Sequence, residues 1–170
     1  MSFIEFVSKN YNEILKSLVR HIELVGISIL IGILISIPLG IFLTRHKRVA
    51  GPVLALAGTI QTIPGLVMLG FALVLIGIGM LPAIIVLTLY AILPILRNTY
   101  TGITEVDKSY TEASRGIGMT NMQTLFKVEI PIALPTIITG IRLSTVYIVS
   151  WATLAGLIGA GAVSYTHLTL

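Results

Sequence analysis

"LVGISILIGILISIPLGIFL", residues 24–43, runs for twenty residues without a charge. A hydrocarbon core about 30 Å thick calls for about 20 apolar residues in helical form, so this stretch reads as a membrane crossing. Pro38 and Gly40 are expected to bend or loosen its later turns. The crossing ends at "TRHKR", where Arg45, Lys47 and Arg48 stand without an acidic neighbour. From Val49 to Leu96 the chain again carries no charged residue, a length too great for one helix and suited to two. Gly77, Gly79 and Pro82 mark the turn between them. The second crossing is therefore expected at about 53–77 and the third at about 82–97, closed by Arg97 and Asn98. A polar stretch follows, and "IPIALPTIITGIRLSTVYIVSWATLAGLI" supplies a fourth crossing at about 131–155.

Composition agrees with this reading. The chain is 55% hydrophobic and 11% charged, with a mean hydropathy of +0.99, where soluble domains carry about 25% charged residues. Only helices and closed barrels satisfy their backbones in lipid. The apolar runs here are continuous, not alternating, which excludes the barrel. The fold class is thus all-α: a multi-span helical bundle in a bilayer. A formal charge of +4 comes from basic residues split among separate loops, so no stripe suited to nucleic acid exists. With no cysteine, thiolate chemistry and cysteine-ligated metal are excluded. Residues 1–23 mix charged and apolar side chains and read as an external tail or a helix lying on the membrane surface.

Basic residues set the orientation. Alternate loops put Arg45, Lys47, Arg48, Arg97, Lys108, Arg115 and Lys127 on one side, against Lys9, Lys16 and Arg20 on the other. The positive-inside rule makes the richer side cytoplasmic and the N-terminus external.

The loop 98–129 is the most informative segment. Asp107 or Thr104 can cap a helix start, Gly116 or Gly118 breaks the run, and Met119, Met122, Leu125, Phe126 and Glu129 then recur at helical spacing. Two short amphipathic helices joined at glycines make a surface on which a cytosolic partner can dock; the alternative is a solvated connection. "EASRGIGMTNMQTLFKVEIP", 112–131, resembles the EAA motif of ABC-importer permeases. It aligns as Glu112-Ala113-Ser114, then Gly118, then Val128-Glu129-Ile130-Pro131, with Ser114, Val128 and Ile130 as mild departures. The resemblance implies that Glu112, Ala113 and Gly118 shape a coupling helix. Met119, Met122, Leu125 and Phe126 would then fill a cleft on an ATPase subunit.

Further stretches, "HIELVGISILIGILISIPLGI", "IQTIPGLVMLGFALVLIGIGMLPAI", "LYAILPILRNTYTGI" and "VEIPIALPTIITGIR", resemble the glycine betaine, carnitine and choline permeases of that family. The implied function is that of a permease subunit in an ATP-driven importer of such osmoprotectants. It would work with a second permease copy or homologue, a cytosolic ATPase dimer and an external solute-binding protein. ATP and Mg belong to the ATPase, since this sequence has no GxxxxGK[ST] loop. Alternatives are a permease for another small solute such as methionine, or a membrane adaptor that moves nothing. No catalytic or metal site is expected on the chain, whose histidines are His21, His46 and His167.

Gln61, Thr62, Pro64 and Gly65 interrupt the apolar second crossing. They read either as a packing kink or as part of a translocation path, because transporters place interrupted helices at their sites. Arg142 falls about 16 Å beyond Pro131 along a helix, where a guanidinium needs a partner or water. Trp151 and Tyr147 fit interfacial anchors. The domain is expected over 24–161. The end, 162–170, departs from the resemblance, whose pattern continues into a fifth crossing; it reads either as a truncation or as residues from another reading frame.

Overall fold

The central helix of the molecule is α4, Met80–Thr104, whose long run of apolar and small residues is covered on two flanks. In the computed structural model, which describes residues 9–156, six other helices surround or extend it. In chain order these are α1 (Tyr11–Arg45), α2 (Lys47–Thr62), α3 (Gly65–Ile76), α5 (Lys108–Gly116), α6 (Asn121–Thr124) and α7 (Ile130–Ala155). A π-helical turn, Leu125–Glu129, joins α6 to α7. Among the described residues there is no strand. Among the described residues, three helices are long and apolar enough to cross a membrane, making three spans, or four if α2 and α3 together make one broken span.

Helices in lipid are held by close backbone approach and not by apolar burial, so small residues carry the contact. In α1 these are Ser28, Gly32, Ser36 and Gly40, four residues apart and all buried on one face. A Cβ on Gly32 would lie 2.9 Å from the Ala91 methyl, and one on Gly40 would lie 2.8 Å from the Thr99 side chain. Hydroxyls stitch the same seam: Ser36 Oγ donates to the Ile92 carbonyl at 3.2 Å, and Thr88 Oγ1 to that of Ser28 at 3.4 Å. On the other flank α7 approaches through Gly140, whose added Cβ would meet the Pro94 carbonyl oxygen at 2.9 Å. Ser144 Oγ donates to the Ala91 carbonyl at 3.0 Å. The outward faces stay apolar, with Leu34, Val74, Leu75 and Ile78 all exposed, as the surface of a bilayer protein is.

Several boundaries differ from the sequence reading. The tail expected over 1–23 is, from Tyr11 onward, the first turns of α1. No proline precedes Pro38 to stop the helix from extending back. The first crossing continues past Pro38 and Gly40 to Arg45, and Gly40 admits Thr99. The third crossing runs on to Thr104, with Arg97 exposed on its side. The second crossing is not one kinked helix: α2 and α3 are bent by 89°. Residues 1–8 of the tail and the atypical end, 162–170, lie outside the described residues.

Candidate functional site

The loop after α4 is ordered by local hydrogen bonds. Asp107 caps α5, its Oδ1 accepting from the Ser109 N–H at 2.8 Å. That backbone bond favours the carboxylate and holds the Asp107 carboxyl below its ordinary range. The helix then closes in a tight C-terminal turn. Ile117 N–H donates to Ala113, Gly118 N–H to Arg115 and Met119 N–H to Ser114. Gly118 sits at φ +83°, the left-handed conformation that such a helix end uses.

Beyond the turn, Thr120 and Gln123 form a reciprocal capping box that starts α6. Ser114 and Thr124 are both buried, and their hydroxyls meet at 2.9 Å. This bond fastens α5 to α6 across the turn. A buried hydroxyl without a partner would be costly, so the serine in place of the motif's second alanine is matched by a threonine ten residues later.

Two faces result. Glu112, Ala113, Gly118, Met122 and Phe126 are exposed, the last two at 62% and 57%, and Met119 is half-buried. Leu125 is 3% exposed and packs among Ile103, Ala133 and Ile137. It therefore belongs to the bundle and not to the outward knobs with which the sequence reading grouped it. Across the π turn, Leu125 and Glu129, four positions apart, face inward together while Phe126 stays out. Met122 and Phe126 border an open groove of about 730 Å³ whose far wall is Pro38, Ile41 and Phe42 of α1.

Glu129 is buried and ion-paired to Arg45 at the end of α1. Arg45 Nη1 donates to Oε1 at 3.4 Å and Nη2 to Oε2. Eighty-four positions separate the two residues, and no local pattern links them.

The other group of sequence candidates lies at the break between α2 and α3. Pro64 disfavours helical backbone at the residue before it, and Ile63 is extended, at φ −72° and ψ 129°. Gln61 Nε2 donates to the Tyr90 carbonyl at 3.1 Å, and the Tyr90 hydroxyl donates to the Ile63 carbonyl. Gly65 is buried beneath the Trp151 ring, which also packs on Tyr90 at 5.7 Å. Trp151 is thus a packing residue at the break. Thr62 is exposed, its hydroxyl bonded to the Thr59 carbonyl. Arg142 is exposed on α7, about 13 Å along the helix from Trp151. The structure therefore brings Gln61 and Gly65 together with Tyr90 and Trp151, and leaves Arg142 apart from them.

Comparisons with known proteins follow the same architecture. Residues 28–169 match the family described as binding-protein-dependent transport system inner membrane component. The choline transport system permease protein OpuBB of Bacillus subtilis is 46% identical over 158 residues, covering 93% of this chain and 73% of that protein. The osmoprotectant import permease protein OsmW of Salmonella typhimurium is 40% identical over 166 residues, covering 95% and 77%. Among solved structures, the inward-facing MetNI methionine ABC transporter aligns with a TM-score of 0.77 at 26% identity, over 95% of this chain and 79% of that one. The chain belongs to the family of binding-protein-dependent transport system inner membrane components.

Proposed function

We propose that this chain is the permease subunit of an ATP-driven importer that moves a quaternary-amine osmoprotectant such as choline, glycine betaine or carnitine. The observation that carries the reading is its 46% identity, over most of its length, to permeases named for those solutes. The closer likeness to these permeases than to the methionine transporter, at 26%, favours the quaternary amines over methionine. The exposed Met122 and Phe126 beside Glu112, Ala113 and Gly118 then form the knob that enters a cleft on a cytosolic ATPase. That ATPase is a dimer, a second permease subunit completes the path, and an external binding protein delivers the solute. ATP and Mg are held by the ATPase. The N-terminus faces outward and the loop between α4 and α7 faces the cytoplasm. Gln61, Thr62, Pro64 and Gly65 shape the path through the break in the second span, and Arg142 faces the second subunit or the path.

The test is uptake of labelled glycine betaine at high osmolarity in a host without its own osmoprotectant importers. The host carries the cognate ATPase and binding protein, with or without this chain. Uptake that depends on the chain is the expected result. Its absence, with the chain present in the membrane and a related permease working in parallel, would overturn the assignment.

A further inference from the structure

The docking surface on α5 and α6 connects to the bundle by three routes. One is covalent, at both ends: residues 105–107 lead in from α4 and the π turn leads on into α7. The second is apolar, through Leu125 against Ile103, Ala133 and Ile137. The third is ionic: Glu129 to Arg45, at the end of α1, whose Ile37 and Ile41 also pack against the Leu125 cluster. This is the one salt bridge among the described residues. Glu129 retains 7% of its exposure, and a carboxylate so far removed from water persists only when paired. It is the sole acid lining a small cleft that also holds Lys47 and Lys108, so its charge is directed at the junction of α1 with the loop. The guanidinium approaches with two nitrogens on two oxygens, the geometry that fixes orientation as well as distance.

We propose that Arg45 and Glu129 are a positioning pair that makes α1 move with the coupling segment. Displacement of Met122 and Phe126 is thereby delivered to both flanks of α4, not to α7 alone. The proposal rests on the docking reading given above. The geometry favours it because the other contacts of α1 with the segment, Ile37 and Ile41 against the Leu125 cluster and Phe42 across the open groove, are apolar and non-directional, whereas the ion pair fixes orientation.

The experiment uses the complete importer, with its ATPase and binding protein, in proteoliposomes, and reads solute moved per ATP hydrolysed. Glu129→Gln and Arg45→Gln are expected to keep the ATPase bound and hydrolysing but to lower that ratio about tenfold. The exchange Arg45→Glu with Glu129→Arg is expected to regain most of it. A pair that merely stabilised the fold would reduce transport and hydrolysis together and leave the ratio unchanged, which would overturn the proposal. So would an exchange variant no better than the single variants. Should these variants fail to assemble, Arg45→Cys with Glu129→Cys can be joined by a short bifunctional thiol reagent in this cysteine-free chain. Linking is expected to raise the ratio and reduction to lower it, whereas linking that blocks transport would show that the pair must separate. The docking reading fails by a different readout: an ATPase that stays bound and stimulated when Met122 and Phe126 are both replaced by Ser.

Discussion

At the residue scale the decisive position is Gly118. Its φ of +83° lies in the left-handed region, and nothing stands within 4 Å of the place a Cβ would take. The cost of a side chain there is conformational and not steric, about 1–2 kcal/mol for an ordinary L-residue. A β-branched residue resists this geometry most, whereas Asn enters it readily. Gly118→Val is therefore expected to open the turn between α5 and α6, part Ser114 from Thr124, and abolish uptake while ATP is still hydrolysed. Gly118→Asn should retain most uptake. Parallel measurement of uptake and hydrolysis checks this, and normal uptake by the Val variant would remove the turn from the coupling surface.

At the element scale the break between α2 and α3 shows what local sequence can and cannot reveal. Pro64 is visible in the sequence as an interruption, and the charge-free run from Val49 to Leu96 announces two crossings. The 89° bend is not visible, because it is set by Tyr90 and Trp151 from other helices. The same holds at the other end, where Arg45 meets Glu129 across 84 positions. In contrast, the seam of Ser28, Gly32, Ser36 and Gly40 could have been read from its spacing alone, as could the Thr120–Gln123 capping box. Leu125 shares its helical spacing with Met122 and Phe126, and its inward direction is visible only in its packing against Ile103, Ala133 and Ile137 of other helices. Since long-range contacts hold the break, Pro64→Ala should leave it in place. Gly65→Leu should displace the ring above it, at a cost of about 1–3 kcal/mol for overpacking. Trp151 is the only tryptophan in the chain, so its fluorescence reports the event directly. A red-shifted emission is expected for the Leu variant and an unchanged one for Pro64→Ala; the reverse would mean that the proline alone makes the bend.

At the scale of the whole molecule, the two ends of the bundle differ in charge. Thr44 and Thr104 line one cleft, so the ends of α1 and α4 lie together. The start of α4 at Met80 is then about 36 Å away along the helix, at the opposite end. The α2–α3 pair must accordingly carry the chain from one end to the other, as a broken span does and a re-entrant loop does not. The end holding Arg45 also gathers Lys47, Arg48, Lys108, Arg115 and Lys127, while no charged residue stands between Val49 and Leu96 to mark the turn at Gly77 to Gly79. With the cationic end in the cytoplasm, Ile78 lies outside and Ile117 inside, both well exposed. In this cysteine-free sequence, Ile78→Cys should react with a membrane-impermeant thiol reagent in intact cells, and Ile117→Cys only after permeabilisation. Labelling of Ile78→Cys solely from within would invert the molecule if Ile117→Cys then labels from outside. If both label from within, α2 and α3 turn back before crossing, and the pairing of Thr44 with Thr104 at one end could not stand.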